Sequence, residues 1–125
     1  MDKLSSAGSN DTPIINFDPD SGMLFIGGSS LPENVLEVFQ PVSDWLTEYI
    51  KDPKPETEIE FAFEYLNTAS SHMVMQIMEK ILALKEKCKK LTINWFYDAG
   101  DQDMRDFGEE LSELTRLKIN LIAKA

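Results

Sequence analysis

The segment EYLNTASSHMVM, residues 64–75, places three hydroxyl side chains where a strand-like run gives way to a Met-rich segment. These residues are Thr68, Ser70 and Ser71. Small hydroxyls at such a junction can satisfy the free backbone N–H groups of a starting helix. A hydroxyl can also accept a phosphate, which adds about −1.5 to −2 charges and is tolerated at a helix N-terminus. The residues alone leave both interpretations open, a helix cap and a modification site.

Other arrangements that could support catalysis are weak. A Ser/His/Asp triad needs a positioned histidine, and the only one, His72, lies one turn into a predicted helix, where a surface role is simpler. Glu58, Glu60 and Glu64 could supply an acid pair, but carboxylates that alternate along a strand are usually solvated. No glycine-rich phosphate loop is present. The sequence therefore predicts no catalytic residue and no enzymatic activity.

Metal binding has equally little support. Asp98, Asp101 and Asp103 carry the oxygen ligands that calcium prefers, yet they lack the spacing and the bidentate glutamate of a calcium loop. A turn followed by a helix cap explains them more simply. Cys88 and His72 are the only cysteine and histidine, too few for a Cys/His site or an internal disulfide. We expect neither a metal nor a cofactor.

Charge and length restrict the class of protein. The 125 residues predict one domain, and the formal net charge is −10, from 22 acidic and 12 basic residues. Such a surface is repelled by nucleic-acid backbones and anionic lipids, so neither is an expected partner. No apolar run approaches the roughly 20 residues that span a bilayer, and no secretory signal is recognisable. A cytoplasmic protein is predicted.

The first half of the chain predicts a leader, a hairpin and a helix. Residues 1–11 are small and polar without periodicity, which is typical of a flexible leader. Two apolar runs flank the turn formers of residues 18–22 and predict a hairpin. Ser30 to Glu33 has the pattern of a capping box, and the helix that follows contains Pro41, which should kink or split it.

Alternating strands and helices fill the second half. Residues 56–66 alternate, with Ile59, Phe61, Phe63 and Tyr65 predicted to be buried and the glutamates solvated. A helix is predicted from about Ala69 to Lys89, with Val74, Ile77, Met78, Ile81, Leu84 and Cys88 inward. A strand with Leu91, Ile93, Trp95 and Tyr97 follows, then a helix with Met104, Phe107, Leu111 and Leu114 inward, then a strand with Leu117, Ile119 and Leu121.

The predicted order is ββαβαβαβ. Strands that alternate with helices favour right-handed crossovers and parallel pairing. Because the strands also alternate apolar and polar residues, the helices should cover mainly one face. We therefore predict a two-layer α/β domain with a mixed sheet over residues 12–125.

Three short motifs resemble one family of proteins. They are YLNTASS at 65–71, GSSLPEN at 28–34 and WFYD at 95–98. They are similar in order and spacing to motifs of the SiaC-like regulatory phosphoproteins, bacterial proteins with a fold like the anti-sigma-factor-antagonist (STAS) domain. The resemblance runs from about Thr12 to Asp98.

The resemblance implies a partner-switching function. In this family the threonine of the Leu-Asn-Thr motif, here Thr68, is phosphorylated by a dedicated protein kinase and dephosphorylated by a PP2C-type phosphatase. The unmodified form binds and activates a diguanylate cyclase, which promotes cyclic di-GMP synthesis and biofilm formation. Ala69 stands where the family often has serine, which favours Thr68 as the acceptor.

On this interpretation Asn67 and Ser70 shape the loop and cap the helix. Exposed residues of the same helix, His72, Met75 and Gln76, are predicted to form the partner face. The alternative is a constitutive scaffold or ligand-binding STAS-like domain, in which Thr68 is only a cap.

Overall fold

A six-stranded sheet and three helices make up the structure, a computed structural model that describes residues 1–125. The strands are β1 (Leu4–Ser6), β2 (Ile14–Asp18), β3 (Met23–Ser30), β4 (Glu56–Leu66), β5 (Lys90–Asp98) and β6 (Asn120–Lys124). The helices are α1 (Val35–Lys51), α2 (Thr68–Lys85) and α3 (Gln102–Thr115). None of these helices combines the length and apolarity needed to cross a membrane.

The strands lie in the sheet in the order of the chain. β1, β2 and β3 pair antiparallel, and β3 to β6 pair parallel, each with the next strand. Because right-handed crossovers between successive neighbours all return on the same side, the three helices cover one face of the sheet. The predicted two-layer α/β domain with a mixed sheet is confirmed.

The core lies between this sheet face and the helices. Alternate residues of β4 supply much of it, and Ile59, Phe61 and Phe63 are at most 2% exposed. Trp95 of β5 is fully buried, with its ring centroid 5.4 Å from that of Phe61. The alternating pattern of both strands is therefore a correct guide to their buried face.

Tyr65 departs from the predicted buried row, since it is 53% exposed. The register between β3 and β4 shifts between Gly28 and Ser29, so that Ser29 pairs with Tyr65 rather than with Glu64. An extra residue in one strand reverses the side on which the following side chains point. The bulge thus removes Tyr65 from the core, which corrects the prediction.

The N-terminal segment contains regular structure that the sequence does not predict. Leu4–Ser6 forms β1 against β2, with Leu4 opposite Phe17. The Trp45 indole N–H donates a hydrogen bond of 2.8 Å to the backbone oxygen of Asp2. A three-residue edge strand is held by backbone pairing, so it needs no apolar periodicity of its own. The sheet therefore already includes Leu4–Ser6, ahead of the domain start predicted at residue 12.

The predicted start of the first helix is also wrong. β3 continues through Ser30 and α1 begins only at Val35, after Asn34 in the N-cap position, so no capping box forms at Ser30 to Glu33. Pro41 does not split α1, which is one helix from Val35 to Lys51.

α3 packs on the sheet through Gly108, whereas the sequence predicts Leu114 on its buried side. Its buried residues are Met104, Gly108, Leu111 and Thr115, whereas Leu114 is 61% exposed. A Cβ on Gly108 would lie 2.6 Å from the Trp95 ring. Close approach of α3 to this ring therefore sets the buried stripe, and Leu114 falls outside it.

The remaining differences are in element ends. α2 ends at Lys85, and Cys88 is half-buried in the turn that follows. Leu117 and Ile119 are buried, as predicted, but they precede β6, which begins at Asn120.

Candidate functional site

The junction between β4 and α2 is organised by Asn67. Its backbone is extended (φ −75°, ψ 172°), and its side-chain oxygen accepts the backbone N–H of Ser70 at 2.8 Å. Its carbonyl oxygen accepts the N–H of Ser71 at 2.9 Å. An asparagine in this position satisfies the free N–H groups of the first turn. Asn67 is therefore the N-cap, and Thr68 is the first residue of the helix.

Ser70 has a different role from the predicted cap. Its side chain is fully buried, and its Oγ lies 2.8 Å from the equally buried Oγ of Ser30 at the end of β3. The carbonyl oxygen of Ser30 also accepts the backbone N–H of Asn67 at 2.9 Å. The hydroxyl pair thus connects β3 to the start of α2. The prediction that Ser70 caps the helix is wrong because its hydroxyl points into the protein.

Ser30 is a residue of this junction that sequence reasoning misses. It lies 40 residues from Ser70, and no local pattern couples the two positions. The GSSLPEN segment does draw attention to Ser30, but helix-start chemistry assigns it the wrong role. Only the parallel pairing of β3 with β4 brings Ser30 beside the start of α2.

Thr68 lies on the opposite side of α2 from this buried pair. The residue is exposed, and its hydroxyl makes no hydrogen bond in the structure. At 100° per residue, His72 and Met75 point in nearly the same direction as Thr68, and Gln76 lies beside them. His72 and Gln76 are exposed and Met75 is half-buried. Four of the predicted site residues therefore share one surface, which we call the Thr68 surface (Thr68, His72, Met75 and Gln76).

The Thr68 surface carries no formal charge when the histidine is neutral. No Asp, Glu, Lys or Arg occurs between Tyr65 and Met78, in a chain with a net charge of −10. Charge reappears at Glu64 on one side and at Glu79 on the other. The helix start is thus an uncharged area on an otherwise strongly acidic protein.

A depression of about 270 Å³ borders this area where the parallel strands end. Ser71, which follows Thr68 by nearly one turn, lines it together with Tyr65, Glu64, Asp101 and Asp103, and no Lys or Arg does so. The depression beside the helix start therefore has carboxylates in its wall and no cation.

The acidic turn before α3 is structural. The Asp101 side chain accepts the N–H of Met104 at 3.1 Å and caps α3. Asp98 forms an ion pair with Lys124 of β6, at 3.6 Å between Oδ1 and Nζ. The interpretation of this segment as a turn with a helix cap is confirmed. No group of three or more His, Cys, Asp or Glu side chains is placed to share a metal ion.

Known proteins resemble this chain over nearly its whole length. The sequence profile described as "SiaC family regulatory phosphoprotein" matches residues 6–124. An uncharacterized protein of Pseudomonas aeruginosa (strain UCBPP-PA14) is 30% identical over 113 residues, which are 90% of each chain.

Solved structures agree with the sequence relatives. Apo-SiaC from Pseudomonas aeruginosa superposes with a TM-score of 0.87 at 28% identity, covering 98% of this chain and 100% of the other. A chain in the crystal structure of the diguanylate cyclase SiaD in complex with its activator SiaC, also from Pseudomonas aeruginosa, gives a TM-score of 0.88 at 28% identity. That match covers 97% of this chain and 99% of the other. The chain therefore belongs to the SiaC family of regulatory phosphoproteins.

Proposed function

We propose that this chain is a non-enzymatic partner-switching protein, in which phosphorylation of Thr68 controls binding to, and activation of, a diguanylate cyclase. The observation that carries the proposal is the exposed, unbonded Thr68 hydroxyl at the first position of α2, within an uncharged surface. The SiaC of Pseudomonas aeruginosa, which this chain resembles in fold and sequence, is described as the activator of the cyclase SiaD.

The unmodified protein is the binding form in this proposal. The Thr68 surface offers hydroxyl, imidazole, thioether and amide groups, all of which can be covered by a partner without burying a charge. Met75 adds an adaptable apolar side chain. A partner can therefore dehydrate this surface at low cost, since neutral polar groups lose less solvation than ions do.

Phosphorylation changes this surface without threatening the fold. A phosphate at the first helical position is stabilised by the helix dipole and lies on the side away from the buried Ser30–Ser70 pair. The same dianion is expensive to dehydrate inside an interface. A loss of only about 2.7 kcal/mol of binding free energy weakens a complex a hundredfold. The switch therefore acts on binding, and the domain stays folded.

The exposure of Thr68 also suits it to enzymatic modification and its reversal. A protein kinase and a PP2C-type phosphatase must both reach the hydroxyl, and Thr68 projects from the surface at the start of its helix. Asn67 and the Ser30–Ser70 pair hold the backbone on either side of it. We place this cycle in the cytoplasm, where it would regulate cyclic di-GMP and biofilm formation.

The experiment compares unmodified and phosphorylated protein. The chain is incubated with ATP and a candidate protein kinase from the same organism, and phosphate is located by intact-mass and peptide mass spectrometry. Binding to the cyclase is measured by titration calorimetry, and activation by cyclic di-GMP production. We expect one phosphate on Thr68 and a loss of affinity of about a hundredfold. Thr68→Ala should remain unphosphorylated, keep its fold and still bind.

A matched variant separates a local effect from added charge. Thr68→Asp places a carboxylate on the Thr68 surface, and Thr47→Asp places one at an exposed position of α1. Only the first should weaken cyclase binding. Equal affinity of fully phosphorylated and unmodified protein would refute the switch. Absence of any phosphate on Thr68, combined with constitutive cyclase binding, would favour a scaffold.

A further inference from the structure

The side of the sheet that faces away from the helices contains exposed apolar residues beside a row of carboxylates. Because Leu24 and Ile26 of β3 are buried under the helices, Met23 and Phe25 point to the opposite side. By the same alternation, β4 directs Glu56, Glu58 and Glu60 to that side. We call this area the open sheet face (Ile14, Met23, Phe25, Glu56, Glu58 and Glu60).

The apolar part of the open sheet face is substantially exposed. Ile14 and Met23 are 43% and 44% exposed, and Phe25 is half-buried. Two depressions, of about 340 and 250 Å³, lie on this face and share Ser21 and Met23 in their walls. The two depressions therefore adjoin at Met23, and we refer to them together as the groove. A sheet face with such side chains is commonly covered by a further layer, since apolar area is stabilised by removal from water.

Among the glutamates of the open sheet face, only Glu56 has a cation opposite it in the sheet register, namely Lys90. Glu58 pairs with Met23 and Glu60 with Phe25 in the sheet register, so each acidic side chain stands beside an apolar one. None of the five salt bridges involves Glu56, Glu58 or Glu60. Glu58 receives only a 3.4 Å hydrogen bond from the Asn94 side-chain amide.

These glutamates are available to charges from outside the chain. Glu58 and Glu60 are half-buried, which strengthens their attraction to a cation relative to fully exposed groups. Lys3 and Lys90 line parts of the groove, but Lys3 is paired with Asp18 at 3.8 Å and Lys90 forms no ion pair. The face therefore combines apolar side chains with an excess of carboxylates over lysine ammonium groups.

We propose that the open sheet face is a second docking surface, which binds a basic amphipathic helix of a partner protein. The apolar stripe of such a helix would lie on Met23 and Phe25, and its Lys or Arg side chains would reach the glutamates of β4. Neighbouring strands are about 4.8 Å apart, and side chains at i and i+4 of a helix are separated by a similar distance. One helix can thus contact both rows. Nucleic acids and anionic membranes are excluded as occupants by the same carboxylates.

This surface is separate from the Thr68 surface. It lies on the other face of the sheet, and its part around Met23, Glu56 and Glu58 lies near the amino ends of the parallel strands, whereas Thr68 follows the carboxyl end of β4. Eight residues of strand separate Glu58 from Leu66, which corresponds to about 26 Å. That distance exceeds the Debye length of about 8 Å at physiological salt. Binding at the open sheet face should therefore be independent of phosphorylation.

The test uses a defined peptide as the probe. An 18-residue amphipathic helix of leucine and lysine is titrated into the isotope-labelled protein, and a leucine and glutamate peptide with the same apolar pattern is the control. We expect saturable binding of the lysine peptide, with amide shift changes concentrated in β3 and β4. Met23→Ser should weaken binding about tenfold, and the double variant Glu56→Gln/Glu60→Gln about fivefold.

A matched variant and the Thr68 variant complete the test. Leu114→Ser removes an apolar side chain that is 61% exposed, compared with 44% for Met23, from α3 on the helix side, and it should leave the affinity unchanged. Thr68→Asp should also change it less than twofold. The proposal is overturned if shift changes map to the helices, if the glutamate peptide binds equally well, or if Met23→Ser binds as tightly as the parent. Self-association through this face, abolished by Met23→Ser in sedimentation experiments, would replace the proposed partner with a second copy of the chain.

Discussion

The buried Ser30–Ser70 pair provides the sharpest test of how the start of α2, where the proposed phosphorylation site Thr68 lies, is held in place. Both hydroxyls are fully buried, and they are 2.8 Å apart. Ser70→Ala removes one partner and leaves the Ser30 hydroxyl buried without it. The reverse substitution leaves Ser70 in the same state. The double substitution removes both polar groups at once.

The expected energies follow from this burial. A buried hydroxyl that loses its partner costs about 1–3 kcal/mol, whereas removal of both partners is nearly neutral. Each single variant should therefore be destabilised by about 1–3 kcal/mol, and the double variant by less than the sum of the two. The coupling energy should be about 1–2 kcal/mol. With an unfolding entropy of about 0.26 kcal/mol/K for a chain of this size, each single variant should melt about 4–11 °C lower.

Urea unfolding of the parent, both single variants and the double variant measures this coupling directly. Ser71→Ala is the matched control, because Ser71 lies in the same helical turn and its hydroxyl makes no hydrogen bond in the structure. It should change the free energy of unfolding by less than about 0.5 kcal/mol. Hydrogen exchange should also quicken at the first amides of α2 in the single variants.

Additive effects of the two serine substitutions would refute the reasoning. Additive effects would mean that neither hydroxyl needs the other as its hydrogen-bond partner, although their oxygens are 2.8 Å apart. Losses no larger than that of Ser71→Ala would lead to the same conclusion. In either case the connection between β3 and α2 would rest on backbone hydrogen bonds alone.

Two further predictions concern packing and pH. Gly108→Ala should destabilise the protein by about 1–3 kcal/mol in urea unfolding, because the new Cβ would lie 2.6 Å from the Trp95 ring. The control is Gly100→Ala, whose Cβ would have no atom within 4 Å and which should be nearly neutral. Equal effects of the two substitutions would contradict this packing argument. The backbone N–H of Asp20 donates to the Asp18 carboxylate at 3.0 Å and lowers the pKa of Asp18 below its ordinary value. A lowered folded-state pKa stabilises the protein above the unfolded-state pKa, and this contribution is lost as the pH falls through the folded-state value. Asp18→Asn should therefore lose less stability than the parent between pH 6 and about pH 3, and identical pH profiles would contradict this role.

Local periodicity in the sequence determined much of this protein. The alternation of β4 and β5 and the apolar stripe of α2 predict their buried residues, because a side chain's direction depends on its position within a strand or helix. The same local chemistry locates the start of a helix near Thr68. The Leu-Asn-Thr motif, through the family resemblance, singles out that threonine.

Tertiary structure decided how the junction is built. Local preference offers several hydroxyls as caps, but only the fold shows that Asn67 caps the helix, that Ser70 points inward to Ser30, and that Thr68 is left free. The bulge that exposes Tyr65 likewise depends on pairing between strands that are distant in the sequence.

The same distinction explains β1, the contact of α3 with Trp95 and the open sheet face. Each joins residues from separate segments. Alternation within β4 predicts that its glutamates are solvated, but no periodic pattern shows which strand or helix lies beside another. Sequence patterns report which side of an element is apolar. Contacts between elements depend on register and packing, which are decided only when the whole chain folds.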